Sequence, residues 1–289
     1  MEPFSFRGRL FYVKRDDLIH PYFSGNKFRK LQALIELPAS RYRRLVSYGG
    51  IQSNAMLSMS ALARMKGWEF EYWVKKVPDF LRSHPMGNYA EALQLGMRIQ
   101  ELGHEDFMQK VAMKSDQLDE DSLFVRQGGA DLIARDGVAR LAEELLAWRK
   151  AQGGQTMSVV TPSGTGTTAL FLRRYLPEEI GVYTVPVVGD EEDLRRQWRQ
   201  LDKQAQAWPT VLPDIKWPFA KPKGEFLRVW RELEKSGIVF DLLYAPKTWS
   251  ALVEAYDQLP KPIVYVHSGG VSGNGSQLAR YRHLQHKER

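Results

Sequence analysis

Apolar residues along this chain follow two alternating patterns: short continuous runs, and longer segments in which they recur every three or four positions. The first pattern is typical of strands in a buried sheet and the second of amphipathic helices. The runs predict strands at residues 10–13, 44–48, 70–74, 97–100, 157–161, 182–188 and 262–267. The spacing predicts one helix beginning near Lys27, one ending at Tyr175, and others over residues 54–66, 88–95, 136–150, 190–205, 225–235 and 247–256.

Two segments do not follow either pattern. Residues 104–122 are polar with weak periodicity and receive no assignment, and the charged tail at residues 280–289 is expected to fray.

The alternation of strands with helices predicts an α/β protein with a mostly parallel sheet and helices on both faces. Ligands of such sheets bind at the carboxyl ends of the strands. Four loops with unusual composition follow predicted strands, and we therefore expect them along one edge. They are the loop before Lys27 and the segments Gly49–Asn54, Ser163–Thr168 and Ser268–Gly270.

The first of these loops leads into the segment Ser24–Leu31, in which turn-forming residues place Lys27 in the first turn of a helix. A cation is disfavoured at this positive end of the helix dipole. The neighbouring charges of Arg29 and Lys30 also disfavour the ammonium form, so more of Lys27 would be the free amine that attacks an aldehyde. The alternative is a solvated lysine on an exposed helix end.

The segment Ser163–Thr168, here called the phosphate loop, lies between a predicted strand and a predicted helix. Its glycines let backbone N–H groups approach an anion, its hydroxyls add donors, and the helix dipole favours negative charge. It lacks the Gly-Lys-Ser/Thr ending of a nucleotide P-loop, and Thr167 does not fit the spacing of a dinucleotide fingerprint. The segment therefore predicts a site for one phosphate monoester, with an ordinary capped turn as the alternative.

The other two turns are less specific by themselves. Ser53 and Asn54 would either cap the following helix or contact a cofactor ring and a substrate. His267 is interpreted as a satisfied core histidine, and the Ser268 hydroxyl could bond a ring nitrogen. A lysine at a helix start, a monophosphate site and polar turns on one edge together suggest pyridoxal phosphate, which needs all three.

Composition narrows the function classes. With 289 residues, 43% hydrophobic and 26% charged, the chain has the profile of a globular protein with one large domain or two ordinary ones. It has no apolar run near the roughly 20 residues that span a bilayer, so we expect no membrane partner. The absence of cysteine excludes disulfides, thiolate metal sites and a cysteine nucleophile, and it fits the cytoplasm. The net charge of +7 comes from scattered basic residues, so we expect a small anionic ligand and no nucleic acid. We also expect no metal.

Several motifs together resemble the 1-aminocyclopropane-1-carboxylate (ACC) deaminase/D-cysteine desulfhydrase family. This family is a branch of the tryptophan-synthase-β-like, fold-type-II pyridoxal-phosphate enzymes. The resemblance covers nearly the whole chain, and its first two motifs are the specific ones. The motifs are Val13–Asp17 with Ser24–Leu31, Gly49–Asn54, the phosphate loop, Tyr244 with Lys247, and His267–Gly270.

The resemblance implies two open, twisted, mostly parallel α/β domains with the cofactor in the cleft between them. Residues 1–39 and 131–289 would form the large domain and residues 40–130 the small inserted one. A homodimer acting on a small amino acid is also expected.

The same resemblance implies roles for individual residues. Lys27 would form the internal aldimine with the cofactor and move protons. Ser53 would lie near the substrate carboxylate or the reacting carbon, and Tyr244 would lie against the ring and the substrate. The expected cofactor-binding residues are Lys27, Asn54 at the phenolic oxygen, Gly164, Thr165, Gly166, Thr167 and Thr168 at the phosphate, and Ser268 at the pyridine nitrogen.

Three positions depart from the family pattern: Ala55, Thr167 and Ala245. ACC deaminases have a glutamate at the position of Ala245, which keeps the pyridine nitrogen protonated. With Ser268 as its partner the ring would be a weaker electron sink, adequate for β-elimination. We therefore expect a D-cysteine desulfhydrase-like lyase that abstracts the α-proton and yields a keto acid and ammonia. The alternatives are an ACC deaminase-like deaminase, an amino-acid racemase, or a cofactor-binding protein with lost catalysis.

Overall fold

The computed structural model describes residues 1–23, 25–213 and 215–287. Its strands are β1 (Glu2–Phe6), β2 (Arg9–Lys14), β3 (Arg44–Tyr48), β4 (Glu69–Val74), β5 (Met97–Glu101), β6 (Ser122–Val125), β7 (Met157–Ser163), β8 (Ile180–Pro186), β9 (Thr210–Val211) and β10 (Ile263–Val266). Its α-helices are α1 (Asn26–Glu36), α2 (Asn54–Lys66), α3 (Asp79–Ser83), α4 (Gly87–Gln94), α5 (Phe107–Ser115), α6 (Ala134–Ala151), α7 (Thr167–Tyr175), α8 (Glu191–Leu201), α9 (Gly224–Glu234), α10 (Ala245–Glu254) and α11 (Asn274–Lys287).

Within these ranges the strands form two sheets. The larger has the order β1-β2-β10-β7-β8-β9 and is parallel except for the antiparallel pair β1–β2. Every residue of β7 is buried, as expected for a central parallel strand covered on both faces. Helices α6 and α7 pack on one face, and the aromatic cluster around Trp249 of α10 packs on the other.

The smaller sheet has the order β5-β4-β3-β6 and is parallel throughout. Helices α2 and α4 cover one face, and Phe107 and Val111 of α5 pack on the other. Its strands all lie between Arg44 and Val125. The division into a domain of residues 1–39 and 131–289 and one of residues 40–130 stays a prediction. The membership of strands in one sheet or the other does not test whether the two parts are separate domains.

The predicted fold class is therefore confirmed as two open, mostly parallel sheets with helices on both faces. The unassigned segment contains α5, whose pattern is weak because only Phe107 and Val111 are buried. The tail that was expected to fray is helical in the structure as far as Lys287, and its fraying stays a prediction. Tyr281 of that helix packs with Leu227 and Trp230, which gives the charged segment a partner that its composition does not reveal.

The loops that follow β3, β7 and β10 lie at the carboxyl ends of parallel strands, and they define where a ligand can bind. In the described ranges, no helix combines the length and the apolar character needed to cross a membrane.

Candidate active site

A cleft of about 1270 Å³ is lined by the loops that follow strands of both sheets. It receives all the residues that the sequence singled out for catalysis and cofactor binding. Those residues are Lys27, Ser53, Asn54, Gly164, Thr165, Gly166, Thr167, Thr168, Tyr244 and Ser268. The structure thus brings the predicted set together in one place, while the role of each member stays a prediction.

Lys27 is the second residue of α1, and its amine donates to the side-chain oxygen of Asn26 at 3.2 Å. Burial lowers the pKa of the Lys27 amine to about 8, although the Asp241 carboxylate acts in the opposite direction. The lowered pKa agrees with the expectation from sequence, but its main cause is loss of hydration rather than neighbouring cations. The neutral amine is therefore a much larger fraction of Lys27 near neutral pH than of an ordinary lysine.

The charge of Arg29 is not among the causes of the Lys27 pKa shift, contrary to the expectation from sequence. Its guanidinium donates to both carboxylate oxygens of Asp16 at 2.9 Å and to Glu144 of α6 at 2.7 and 2.8 Å. Lys14 also pairs with Asp16 and Glu144. This cluster joins β2, α1 and α6, so it fixes the helix that carries Lys27.

The loop before Lys27 is held against the turn after β10. The backbone N–H of Asn26 donates to the carbonyl of Ser268 at 3.3 Å. Gly25 has a φ of 40°, and a Cβ there would lie 2.4 Å from the Ser268 carbonyl carbon. Only glycine permits this close approach. Ser24, which begins the Lys27 motif, lies outside the described residues.

Within the phosphate loop, Gly166 has a φ of 68° and immediately precedes the first turn of α7. The indole N–H of Trp198 donates to the Gly166 carbonyl at 3.0 Å and fixes this turn. The backbone N–H groups at the start of α7 have no partner within the helix and are available to an anion. The Thr168 hydroxyl is buried and has no hydrogen-bond partner among the described residues. A buried unpaired donor beside a helix N-terminus fits an anionic ligand.

Lys30 is a site residue that the sequence analysis used only as a neighbour of Lys27. Its amine donates to the carbonyl of Gly128 at 3.1 Å and to the hydroxyl of Thr165, in the phosphate loop, at 3.2 Å. Burial, together with the charge of Lys27, lowers the pKa of the Lys30 amine well below its usual value. A bound dianion would supply the missing opposite charge. The available signal was spacing, since residues three apart on a helix share a face.

Ser53 fulfils the capping role that was left open from sequence. It is the N-cap of α2, and its hydroxyl oxygen accepts from the backbone N–H of Ala55 at 3.2 Å. The hydroxyl of the buried Tyr72 donates to the carbonyl of Gly50, in the same turn, at 3.5 Å. Because Ser53 lines the cleft as well, capping does not exclude a contact with substrate.

Tyr244 precedes α10, and its backbone is held by a buried carboxylate that the sequence analysis did not identify. Asp241 accepts from the N–H groups of Leu243 at 3.0 Å and Tyr244 at 2.5 Å. Burial raises the pKa of Asp241 to about 6. Burial also raises the pKa of the Tyr244 phenol, which therefore stays protonated. A Cβ at Gly164 would lie 3.3 Å from the Tyr244 hydroxyl, which shows how closely this residue approaches the phosphate loop.

The turn after β10 separates a core residue from a cleft residue. Both ring nitrogens of the buried His267 have partners, the carbonyl of Val239 at 2.9 Å and the N–H of Gly269 at 3.1 Å. Ser268 lines the cleft. Ala245 is fully buried and packs with Trp249, so its methyl group lies in the core behind the cleft wall.

The described residues contain no cluster of three or more histidine, aspartate or glutamate side chains arranged to hold a metal ion. The polar groups that line the cleft include two amines, two guanidinium groups, side-chain amides and hydroxyls.

Comparisons with known proteins extend along nearly the whole chain. A putative ACC deaminase of Thermotoga maritima is 24% identical, with 93% of this chain and 91% of that protein aligned. A D-cysteine desulfhydrase of Serratia proteamaculans is 26% identical, with 92% of this chain and 88% of that protein aligned. The crystal structure of an ACC deaminase homologue superimposes with a TM-score of 0.73 at 22% identity, covering 94% of this chain and 89% of that one, which shows a shared fold.

No protein-family model matches the chain. The sequence relatives nevertheless carry the two names that the motifs indicated, over more than nine-tenths of the chain. The resemblance to the ACC deaminase/D-cysteine desulfhydrase family is therefore confirmed.

Proposed function

We propose that this protein is a pyridoxal-phosphate-dependent lyase that acts on a small amino acid by α-proton abstraction and β-elimination. One arrangement carries the proposal. Lys27, an amine with a pKa lowered to about 8, shares a cleft with the phosphate loop, in which the buried Thr168 hydroxyl has no partner in the part of the chain that the structure describes. An aldehyde with a phosphate tail matches both features.

The residues of the cleft fit this cofactor. Bound pyridoxal phosphate supplies an electron sink for the carbanion chemistry of amino acids. The phosphate loop would hold the phosphate together with the Lys30 amine, which a bound dianion would keep protonated, and Asn54 would donate to the ring oxygen. Lys27 would hold the aldehyde carbon, and its amine would accept the proton removed from the substrate α-carbon.

The substrate is expected to lie between Ser53 and Tyr244. Ser53 stands at the N-terminus of α2, where backbone N–H groups and the helix dipole favour a carboxylate. Tyr244 remains a neutral phenol, so it can orient a substrate by donating a hydrogen bond without adding charge.

The residue that faces the ring nitrogen of the cofactor influences which reaction is favoured. Ser268 offers a neutral hydroxyl, which stabilises a protonated ring less than a carboxylate does. A weaker sink suffices when the electron pair of the Cα–H bond forms a Cα=Cβ bond and expels a thiolate. With cysteine and one water, the products are a keto acid, ammonia and sulfide. The name of the Serratia relative supports this reaction for one aligned protein.

Two other functions remain as candidates. A deaminase or racemase would use the same amine and cleft, and the name of the Thermotoga relative favours the former. A cofactor-binding protein without catalysis is motivated by Ala55 and Ala245, where the chain departs from the family pattern. We further propose a cytoplasmic homodimer and the two-domain division at residues 39 and 130, on the resemblance alone.

An amino-acid panel tests the proposal. The purified protein is reconstituted with pyridoxal phosphate and offered D- and L-cysteine, serine, alanine and ACC, with keto acid, ammonia and sulfide measured separately. The proposal expects sulfide and keto acid in equal amounts from one cysteine enantiomer. Cofactor uptake without any product would favour the binding-protein alternative, and loss of chirality without keto acid would favour a racemase.

A further inference from the structure

A buried asparagine outside the cleft is hydrogen-bonded to the residue that is proposed to meet the cofactor ring. Asn88 lies in α4, is 1% exposed, and does not line the cleft. Its amide nitrogen donates to the backbone carbonyl of Gln52 at 3.1 Å and to the side-chain oxygen of Asn54 at 2.7 Å. Its amide oxygen accepts from the hydroxyl of Ser272 at 2.9 Å. All the hydrogen-bonding capacity of the Asn88 amide nitrogen is therefore used.

This network determines which way both amides point. A backbone carbonyl is only an acceptor, so the Asn88 atom beside the Gln52 carbonyl must be the NH2 group. The second hydrogen of that group points at Asn54, and the Asn54 atom that receives it must be the oxygen. The NH2 group of Asn54 is then the end left available to a ligand.

The other side of the Asn54 amide is confined as well. A Cβ at Gly270, whose φ is 82°, would lie 2.6 Å from the Asn54 amide nitrogen. Asn54 is therefore enclosed between Asn88 of the smaller-sheet region and the turn after β10 of the larger sheet. Rotation of the Asn54 amide by half a turn would place its NH2 group against the NH2 group of Asn88. Rotation of the Asn88 amide would instead place two oxygens against each other.

We infer that Asn88 is a positioning residue that fixes the Asn54 amide so that its NH2 group, rather than its oxygen, faces the ring oxygen of the cofactor. The inference rests on the proposed function, because it concerns how the proposed site recognises that oxygen. The ring oxygen of pyridoxal phosphate is an acceptor when ionised, so an amide turned the other way would repel it. Ser272, in the turn before α11, donates to the Asn88 oxygen and so helps to fix the orientation of the Asn88 amide.

The sharpest variant is Asn88→Asp, which keeps the shape of the side chain but removes its donor. The new carboxylate accepts from Asn54, so the Asn54 amide turns and presents its oxygen to the cofactor. The readout is the ratio of dissociation constants for pyridoxal phosphate and its 3-deoxy analogue, which lacks the ring oxygen. The intrinsic difference between the two aldehydes is common to every variant and cancels when the ratios are compared.

Three results are expected. The discrimination ratio falls by about tenfold in Asn54→Ala, as for the loss of one hydrogen bond to a charged oxygen. It falls further in Asn88→Asp, because the Asn54 oxygen then repels the ring oxygen, and adding Asn88→Asp to Asn54→Ala changes the ratio no further. Ser272→Ala lowers the ratio by about twofold to threefold, because it loosens the orientation without reversing it.

Asn274→Asp is the matched control. The Asn274 amide also joins two backbone groups, donating to the Phe240 carbonyl at 2.9 Å and accepting from the N–H of Leu242 at 2.8 Å. If a new buried carboxylate destabilises the fold, the free energy of unfolding of Asn274→Asp should fall. The discrimination ratio of this variant should remain that of the wild type.

The outcomes distinguish a failure of the positioning role of Asn88 from a failure of the proposed function. If the wild type takes up the cofactor and Asn88→Asp retains the full ratio, the positioning role of Asn88 is wrong and the proposed function stands. If the wild type takes up neither compound, the proposed function fails and the inference fails with it. Should Asn88→Asp not fold, an unchanged ratio in Ser272→Ala overturns the inference and a reduced one supports it.

Discussion

The amine of Lys30 lies 3.2 Å from the hydroxyl of Thr165, although 135 positions separate the two residues. This contact places a buried amine directly beside the phosphate loop. Lys27 and Lys30 thus present two amines to one cleft, and their surroundings suit them to different tasks. Burial lowers the pKa of both amines, but Lys30 contacts the phosphate loop, so we assign the phosphate to Lys30 and the aldehyde to Lys27.

Replacing Lys30 should weaken binding of the phosphate in particular. In Lys30→Gln we expect the dissociation constant for pyridoxal phosphate to rise by about tenfold to a hundredfold, the range for losing a hydrogen bond to a charged group. Binding of pyridoxal, which lacks the phosphate, should hardly change. Titration of the visible absorption band measures both constants.

Lys66→Gln is a suitable control for that variant. The Lys66 amine also donates to backbone carbonyls, those of Ile35 and Leu37, but it lies away from the cleft. An equal loss of affinity for the two cofactor forms in Lys30→Gln would show that Lys30 does not contact the phosphate.

Removing the Thr168 hydroxyl should change stability and affinity in opposite directions. The hydroxyl is buried without a partner in the described ranges, so Thr168→Val should raise the free energy of unfolding of the cofactor-free protein by about 1 kcal/mol. The same variant should bind pyridoxal phosphate more weakly, because a phosphate donor is lost. Denaturant unfolding and cofactor titration measure the two effects.

Ser47→Ala gives the comparison for Thr168→Val. The Ser47 hydroxyl in β3 is also buried and without a partner among the described residues, but it does not line the cleft. Its removal should leave cofactor affinity unchanged. If Thr168→Val binds the cofactor as tightly as Ser47→Ala does, the Thr168 hydroxyl is not a phosphate donor.

The pKa of Lys27 predicts a pH profile for cofactor capture. Only the free amine attacks an aldehyde, so the capture rate should rise with pH and level off above about pH 8. An ordinary lysine would continue to gain rate up to about pH 10.4. Stopped-flow absorbance across this interval distinguishes the two, and a rate still rising steeply at pH 9.5 would contradict the lowered pKa.

The same shift has a consequence for stability. The folded-state pKa lies below the ordinary value of 10.5, so between about pH 8 and 10.5 the unfolded chain holds more of the Lys27 proton. The Lys27 contribution to the free energy of unfolding therefore becomes more favourable as pH rises through this window.

The close approach of Gly25 to Ser268 predicts a strong effect of one methyl group. In Gly25→Ala the new Cβ would overlap the backbone of the turn after β10, at a φ that alanine rarely adopts. We expect a loss of about 2 kcal/mol or more in the free energy of unfolding, with weaker cofactor capture. Gly224→Ala is the control, since nothing lies within 4 Å of a Cβ there, and it should be neutral or slightly stabilising. Equal stability of the two variants would contradict the account of this loop.

The fold class could be predicted because its signals are local in sequence. The apolar run at residues 157–161 lies in β7, which is buried over its whole length, and Gly67 ends α2 with a φ of 70°. Helix α5 was not assigned because it buries only two residues, and α11 depends on a contact between Tyr281 and Trp230 that no local pattern encodes.

The site was predictable where chemistry is local and not where it depends on distant partners. The motifs around Lys27 and the phosphate loop were recognised because each is continuous in sequence. Asp241 and Asn88 were not, because their importance comes from hydrogen bonds to Tyr244 and Asn54 that only the folded chain creates. The direction of the Lys27 pKa shift could be anticipated, but its cause required knowledge of burial.

The most direct test of the central claim is to identify the lysine that captures the cofactor. The protein reconstituted with pyridoxal phosphate is reduced with borohydride and digested, and fragment masses separate Lys27 from Lys30, three positions away. We predict a pyridoxyl group on Lys27 in the wild type and none in Lys27→Ala. A pyridoxyl group on Lys30 or another lysine, or its absence from every peptide, would contradict the account.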